Sequence, residues 1–309
     1  MENINLKSIF NQLKVNAEWF GVRKVRESNT YRMIRDGNPQ ANSTGISHGI
    51  MVEVLKNGQF AYAASSDMST ASIQEAIDRA IIIAESSSKN PLYNFSEDVR
   101  PSNKGNYRSD RSKTDLPLKE INNILFKSYE SLKVSDKIVS ASATARITET
   151  NYQFLSSSGA EIEQDFLIIG SSFDAVSQDK GITQRRTDNG RGRMFQSGYE
   201  VFDELELTSM CNKIGEQAVE LLYADECPTE TTNLVLAPDQ MLLQIHESIG
   251  HPLEVDRILG DERNYAGWSF VREEDFGTLK YGSDIMNITF DPTIKKELAS
   301  YGFDDSGKK

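Results

Sequence analysis

The stretch Met51-Val-Glu-Val-Leu-Lys-Asn57-Gly58-Gln-Phe-Ala-Tyr62 gives the clearest indication of the fold. Two apolar segments flank an Asn-Gly pair, and Asn-Gly tolerates the positive φ angles that a two-residue turn between antiparallel strands requires. The stretch therefore predicts a β-hairpin. Upstream of it, residues 22–27 and 31–35 have the composition of two further strands.

Helical periodicity appears on both sides of this hairpin. Before it, apolar residues recur at roughly helical spacing at Ile4, Leu6, Ile9, Phe10 and Leu13. After it, Ser69 and Thr70 are candidate helix caps, and an apolar stripe follows at Ile73, Ile77, Ala80, Ile81 and Ala84. The order helix, strands, hairpin, helix predicts an N-terminal α/β domain over residues 1–115. Its last part, residues 90–116, is polar and contains prolines, which is typical of a surface excursion.

The second half of the chain has a different pattern. Residues 118–132 predict an amphipathic helix, and residues 138–206 predict a run of antiparallel strands joined by Gly and Ser turns. Helical spacing returns over residues 205–223, residues 234–236 are short and apolar like a strand, and Ala237-Pro238-Asp239 opens a new helix. The sequence therefore predicts an α+β fold, with a β-rich domain over residues 116–309 that carries this last helix.

Composition excludes several classes of function. The chain has 309 residues and a formal net charge of −12, so it lacks the excess of Lys and Arg that nucleic-acid binding or an anionic membrane surface requires. Two cysteines are too few for a disulfide scaffold, and the N-terminus has no signal-peptide pattern. No apolar run is long enough to span a bilayer. We therefore expect a cytoplasmic protein without nucleic-acid or membrane partners.

The last predicted helix contains the candidate catalytic and metal-binding residues. Its sequence is Met241-Leu-Leu-Gln-Ile-His246-Glu247-Ser-Ile-Gly-His251-Pro-Leu-Glu254. Two of the three histidines in the chain lie here, and a glutamate follows the first. On an ideal α-helix, residues five apart diverge by about 140°. We therefore predict a π-bulge or an early helix end between Glu247 and Pro252. Gly250 permits unusual backbone angles, and Pro252 cannot donate to the carbonyl of Ser248.

These residue types suit a metal-activated hydrolase. Neutral imidazoles bind a divalent ion while leaving positions open, and the ion acidifies water and polarises a carbonyl group. A carboxylate beside the first ligand can take up the proton of that water and return it to a leaving amine. The residues alone leave a second interpretation open, in which both histidines are ordinary helix residues and Glu247 is a solvated charge.

The motif His246-Glu247-Ser-Ile-Gly-His251-Pro-Leu-Glu254-Val-Asp256 resembles the HExxxH motif of the TldD family of peptidases. This family is also named "modulator of DNA gyrase" and includes the PmbA (TldE) branch. Five other segments resemble the family: residues 49–62, 156–159, 216–224, 287–293 and 303–307. The resemblance covers essentially the whole chain.

The resemblance implies a metallopeptidase with His246 and His251 as metal ligands, Glu247 as catalytic base and zinc as the expected ion. It implies the catalytic TldD type, because the PmbA-type branch lacks this motif. It also implies cytoplasmic location, cleavage of unfolded or extended peptides, and a homodimer or a heterodimer with a PmbA-type subunit.

The chain also departs from the family pattern. The family's third ligand is a Cys far towards its C-terminus, expected here beyond Lys309, and neither Cys211 nor Cys227 matches it. We therefore expect a C-terminally truncated, weakly active fragment. Glu254 is expected to support the site or form a salt bridge rather than to bind the ion. Two alternatives stay open: a non-catalytic peptide-binding module, and a regulatory protein of the gyrase-modulator type.

Overall fold

The computed structural model describes residues 5–190 and 192–309. The predicted α+β class is confirmed, because helices accompany an eight-stranded, largely antiparallel sheet. The chain divides into two compact units. The larger unit runs to Tyr223 and resumes at Asp291, and the smaller unit comprises Ala224–Phe290.

All strands belong to the larger unit. They are β1 (Trp19–Arg35), β2 (Asn38–Lys56), β3 (Gln59–Ser65), β4 (Lys104–Arg108), β5 (Ile138–Ser156), β6 (Glu161–Asp179), β7 (Ile182–Thr187) and β8 (Arg193–Phe195). Their order is β3-β2-β1-β5-β6-β4, and β7 and β8 also pair with β6. Only the β4–β6 pair is parallel among these pairings.

The predicted hairpin is confirmed. Strands β2 and β3 pair from Ile50 opposite Ser65 to Lys56 opposite Gln59. Asn57 and Gly58 form the turn, with φ angles of 51° and 72°. Positive φ at both central residues is the geometry that follows the twist of the flanking strands, which explains why this signal was reliable.

The prediction of two strands over residues 22–27 and 31–35 is wrong in one respect, because β1 is continuous. Strand β1 pairs along its length with β2 on one side and with β5 on the other. Ladder hydrogen bonds on both sides keep Asn29 extended despite its weak strand propensity. The β1–β5 pairing also connects a strand before residue 115 with a strand after it. A domain boundary at residue 115 stays a prediction.

Helices cover the sheet of the larger unit. They are α1 (Leu6–Phe10), α2 (Thr70–Ser87), α3 (Leu118–Leu132), α4 (Val201–Glu204) and α5 (Leu207–Glu220). Helix α2 begins as predicted, since the Ser69 side chain accepts from the N–H of Ser72. Its apolar stripe packs on β2, while α3 and α5 bury theirs in a second cluster on β5 and β6.

Two local predictions in the larger unit need correction. Helix α1 is shorter than predicted, because it ends at Phe10; Ile4 lies outside the described residues. The polar stretch 90–116 contains strand β4, which has no alternating apolar pattern. This strand exists because its backbone pairs with β6, from Lys104 opposite Glu161 to Arg108 opposite Asp165. A short edge strand of this kind carries no local signal in the sequence.

The smaller unit contains α6 (Pro238–Ile245) and α7 (Val255–Leu259), with a π turn and a 3₁₀ turn between them. The prediction of a strand at residues 234–236 is wrong. No strand occurs within Ala224–Phe290, and Leu234 and Val235 are 81% and 92% exposed. An apolar triplet without a pairing partner cannot form a ladder. Over residues 5–190 and 192–309, no helix combines the length and apolarity needed to cross a bilayer.

Candidate metal centre

Helix α6 begins where the sequence predicts. Ala237 is the extended residue before it, Pro238 lies in the first turn, and Asp239 is the acidic residue of that turn. Proline suits the first turn because its missing N–H has no helical partner there, and Asp239 interacts favourably with the helix dipole. None of the residues of α6 is buried.

The helix is irregular at the position predicted from the spacing of the two histidines. A π turn occupies His246–Gly250, and the N–H of His251 donates to the carbonyl of His246. A 3₁₀ turn then covers His251–Leu253. The hydrogen bond between residues five apart closes one wide turn, so His251 lies above His246 rather than about 140° away from it. The prediction of an irregular helix, by a π-bulge or an early end, is therefore confirmed, and the structure shows the π form.

The two residues expected to produce this bulge contribute differently. Gly250 has ordinary helical angles, with φ −59° and ψ −64°, so its conformational freedom is not used. Pro252 does contribute, because it cannot donate to the carbonyl of Ser248. That carbonyl instead accepts a hydrogen bond from the hydroxyl group of Tyr281. The Tyr281 hydroxyl thus replaces the backbone donor that a regular helix would have supplied.

The π turn brings three potential ligands together. The rings of His246 and His251 have centroids 4.3 Å apart and planes inclined at 72°. One ligand atom from each of His246, Glu247 and His251 lies within 4.8 Å of the other two. The side chains of His246 and Glu247 are 58% and 60% exposed, and that of His251 is 30% exposed. The three donors therefore converge at a place that solvent reaches.

Glu254 contacts one ring nitrogen of His251. Its Oε1 lies 2.8 Å from Nδ1 of His251, and its Oε2 accepts from Nε of Arg257. The hydrogen bond from His251 lowers the pKa of the Glu254 carboxyl; burial opposes this shift, and Arg257 lowers the pKa further. We assign the His251 proton to Nδ1, where it donates to this carboxylate, which leaves Nε2 free as a ligand.

Arg257 holds the Glu254 carboxylate in position. Its Nη1 donates to the carbonyl of Ala266 at 2.7 Å, while Nε donates to Glu254. Its Nη2 lies 3.2 Å from Nδ1 of His251. The guanidinium therefore fixes the carboxylate that orients His251. The expectation that Glu254 supports the site through contacts, rather than through direct ligation, agrees with these contacts.

The donor set fits a borderline divalent ion. Two donors that each lie about 2.1 Å from one ion are at most about 4.2 Å apart. The three ligand atoms lie within 4.8 Å of one another, so a modest rotation of exposed side chains is sufficient. Imidazole nitrogen and carboxylate oxygen are ligands that zinc accepts, and two imidazoles leave coordination positions open.

The cysteines do not join this group. Cys211 is buried in α5 of the larger unit, and burial raises the pKa of its thiol to about 12. A thiol must lose its proton to bind a metal, so burial makes Cys211 a poor ligand. Cys227 is exposed, and its thiol faces the carbonyl of Pro228 at 3.9 Å. Within residues 5–190 and 192–309, His246, Glu247 and His251 form the one group of this kind.

The sequence did not predict two residues that support the site. Arg257 lies six positions after His251, and Tyr281 lies thirty-three positions after Ser248. An arginine among charged neighbours carries no distinctive signal. A proline four residues after Ser248 does indicate that the carbonyl of Ser248 needs another donor, but it does not identify that donor.

Comparison with known proteins gives two matches to models of one family. Residues 22–84 match PmbA/TldA metallopeptidase domain 1, and residues 111–222 match the PmbA/TldA metallopeptidase central domain. Together the two matches cover more than half of the chain.

Individual relatives are similar over nearly the whole chain. A metalloprotease of Methanothermobacter thermautotrophicus is 27% identical over 98% of this chain and 63% of its own length. A metalloprotease of Methanocaldococcus jannaschii is 26% identical over 98% of this chain and 64% of its own length. The structure of TldE from Thermococcus kodakarensis has a TM-score of 0.44 and 14% identity, covering 71% of this chain and 46% of that one.

The chain thus spans less than two thirds of the length of either metalloprotease. The matched domains are consecutive and in the family's order, and they coincide with the sheet and helices of the larger unit. The chain belongs to the TldD/PmbA family.

Proposed function

We propose that the protein is a metal-dependent peptidase of the TldD type, which hydrolyses unfolded or extended peptides. In this proposal His246 and His251 hold a divalent ion, zinc in the first instance, and Glu247 is the general base. One observation carries the proposal. The π turn at His246–Gly250 brings two imidazoles and a carboxylate within 4.8 Å of one another, which a regular helix would prevent.

Each residue has a separate role in the proposed reaction. An ion bound there supplies Lewis acidity that polarises the scissile carbonyl group. Glu247 accepts a proton from the attacking water and delivers it to the leaving amine. Glu254 orients His251 through Nδ1, and Arg257 holds Glu254. The Tyr281 hydroxyl stabilises the turn that places His251 above His246.

Exposure of the group suits a peptide substrate. The side chain of Glu247 is 60% exposed, so a main-chain carbonyl group and a water molecule can both reach it. Folded proteins protect most of their backbone carbonyl groups within hydrogen-bonded structure, whereas extended peptides present them freely. We also propose a cytoplasmic location and a dimer, either with a second copy or with a PmbA-type subunit.

Glu247→Gln separates metal binding from catalysis. The substitution removes the base and retains both imidazoles, so we expect zinc binding to be unchanged in isothermal titration calorimetry. Loss of a general base lowers the rate by about 10²–10⁴-fold. The assay follows cleavage of a fluorescent, unstructured peptide by the zinc-loaded protein. His246→Ala should instead lose both the metal and the activity.

The matched control is Glu230→Gln, which makes the same chemical change at an exposed glutamate of the same unit. It should retain both metal binding and cleavage. If Glu247→Gln cleaves at the wild-type rate while His246→Ala is inactive, Glu247 is not the base. If zinc binds but the wild type cleaves the peptide no faster than His246→Ala, the peptidase proposal fails and the non-catalytic alternative is favoured.

A further inference from the structure

A pair of aromatic rings lies beside the turn that carries the two histidines. The rings of Phe270 and Tyr281 have centroids 5.7 Å apart and planes inclined at only 16°, so they are stacked. Within Ala224–Phe290, all of which the structure describes, the one other pair of aromatic rings in contact is that of His246 and His251. We refer to Phe270 and Tyr281 as the ring pair.

Hydrogen bonds attach the ring pair to the turn at two points. The Tyr281 hydroxyl donates to the carbonyl of Ser248, directly after the proposed base. The Ser269 hydroxyl donates to the carbonyl of Pro252, directly after the second histidine, at 2.6 Å. Because consecutive Cα atoms are about 3.8 Å apart, both contacts lie one residue from a proposed catalytic or metal-binding group. The ring pair therefore belongs to the same local structure as the candidate metal centre.

The backbone around Phe270 holds its side chain half exposed. The neighbours Ser269 and Val271 are 6% and 5% exposed, whereas Phe270 is 51% exposed. The Ser269 hydroxyl also accepts from the N–H of Val271 at 2.9 Å, which fixes the chain on both sides of Phe270. Single exposed apolar residues are common on proteins, but two stacked rings that are fixed beside a candidate site indicate a contact surface.

The ring pair offers hydrocarbon surface rather than hydrogen-bonding groups. Phe270 has no polar side-chain atom, and the Tyr281 hydroxyl already donates to Ser248. An aromatic side chain that packs on the exposed half of these rings gains apolar burial and favourable ring–ring geometry. A polar side chain loses water there and finds no free donor in the two rings. The ring pair therefore favours an aromatic ligand.

We propose that the ring pair is a specificity subsite, which selects unfolded peptides with a large aromatic residue beside the scissile bond. An extended peptide advances about 3.3 Å per residue, so the side chain concerned lies within one or two residues of the carbonyl group at the ion. The identity of this ligand as a peptide substrate rests on the proposed peptidase function; the stacking and the two hydrogen bonds do not.

A protein partner explains the ring pair less well than a substrate side chain does. Other aromatic residues of the same unit are more exposed, such as Tyr265 at 95% and Trp268 at 65%. Among the exposed aromatic side chains of this fully described unit, Tyr281 alone donates to the turn. Docking of another protein requires only exposed surface, whereas selection between substrates requires a surface that is fixed to the reacting groups.

Three hydroxamates test the proposal on the zinc-loaded protein without turnover. Propanohydroxamic acid chelates the ion, and its phenyl derivative adds one aromatic ring to the same chain. We expect the phenyl derivative to bind at least about tenfold more tightly in isothermal titration calorimetry, because its ring is buried on the ring pair. The cyclohexyl derivative should fall between the two, since it is apolar but lacks ring–ring geometry.

Phe270→Ala removes one ring of the pair, and Phe276→Ala is its matched control. Phe276 is 60% exposed in the same unit, so the control makes the same chemical change outside the ring pair. Phe270→Ala should reduce the advantage of the phenyl derivative to within about threefold, and Phe276→Ala should retain the full advantage. Metal analysis verifies one zinc per chain before each titration. The hydroxamate series leaves the wild type unchanged and decides the outcome if Phe270→Ala loses its zinc.

The unsubstituted hydroxamate reports on the metal centre, and the ratio of affinities reports on the subsite. If propanohydroxamic acid binds but the phenyl derivative binds no more tightly, or if Phe270→Ala keeps the full advantage, the subsite is overturned and the metal centre stands. If no hydroxamate binds, the site holds no ion that is open to ligands, and the peptidase proposal fails together with the subsite.

Two further outcomes separate the remaining possibilities. If the phenyl preference is observed but Glu247→Gln leaves cleavage unchanged, Glu247 is not the base and the subsite stands. If the hydroxamates bind alike and Phe270→Ala dissociates a dimer in sedimentation, a second copy is the occupant of the ring pair, which overturns the subsite.

Discussion

Helices α3 and α6 both have an apolar stripe, but only α3 buries it. Ile121, Leu125 and Leu132 of α3 are fully buried against the sheet, whereas α6 buries no residue and Leu242 is 71% exposed. The larger unit therefore derives its order from apolar packing. The turn that carries His246 and His251 is instead held by polar contacts from Tyr281, Glu254 and Arg257. The scaffold and the site should respond to different substitutions.

The largest expected effect contrasts the two helices directly. Leu125→Ala should lower the free energy of unfolding by about 2–5 kcal/mol, because it leaves a cavity beneath α3. Leu242→Ala makes the same chemical change on α6 and should cost less than about 0.5 kcal/mol. Urea denaturation followed by circular dichroism measures both. Comparable losses for the two variants would show that α6 is packed in solution.

The next effect concerns the support of His251. Glu254→Gln keeps the size of the side chain but weakens its contacts with the imidazole and with Arg257. We expect zinc affinity to fall by about 10–100-fold, since supporting carboxylates orient the ligand and raise its basicity. Isothermal titration calorimetry gives the affinity, and Glu230→Gln is the control. An unchanged affinity would mean that Glu254 does not position His251.

A smaller effect is expected at Tyr281. Tyr281→Phe removes the hydroxyl that donates to Ser248 and leaves the ring in place. Loss of one hydrogen bond costs about 0.5–1.5 kcal/mol, so zinc affinity should fall by roughly twofold to tenfold. Tyr265→Phe is the matched control, because Tyr265 is 95% exposed in the same unit. Equal effects of the two substitutions would show that the Tyr281 hydroxyl does not stabilise the turn.

The smallest effect belongs to a polar contact of the scaffold. Burial raises the pKa of Glu200, but hydrogen bonds from the N–H groups of Lys113 and Ser112 and from Ser197 outweigh it and lower the pKa to about 2. A carboxyl with a lowered pKa stabilises the fold above its unfolded value of 4.5, and this stability is lost as the pH falls towards 2.

Glu200→Gln should therefore flatten the decline of stability between pH 4.5 and 2. The side chain is partly exposed, so solvent screening reduces the difference to under about 1 kcal/mol. Urea denaturation at a series of pH values compares the variant with the wild type, and Glu230→Gln again serves as control. Parallel pH profiles for wild type and Glu200→Gln would show that Glu200 has an ordinary pKa in the folded state.

The sequence was most informative where the determining contacts are local. Asn57-Gly58 predicted the hairpin because the turn itself requires positive φ angles. The bounds of α3 followed from its apolar stripe. The spacing of His246 and His251 predicted that the helix is irregular there, by a π-bulge or an early end. These features depend on neighbouring residues and on the geometry of the helix.

The failures involve partners that are distant in sequence. Strand β4 exists through its pairing with β6, and β1 is continuous because β2 and β5 pair on its two sides. The apolar residues 234–236 have no strand partner and stay irregular. At the site, the sequence predicted the three converging residues but not Tyr281, whose contact spans thirty-three positions. Local patterns cannot specify which distant group satisfies an open carbonyl.

X-ray absorption at the zinc edge tests the central claim most directly, because it counts imidazole ligands. The claim is that the π turn lets His246 and His251 bind one ion. The zinc-loaded protein should show two imidazole nitrogens at about 2.0–2.1 Å and one zinc per chain, and His251→Ala should show a single imidazole. One imidazole in the wild type, or an unchanged spectrum in His251→Ala, would contradict the claim.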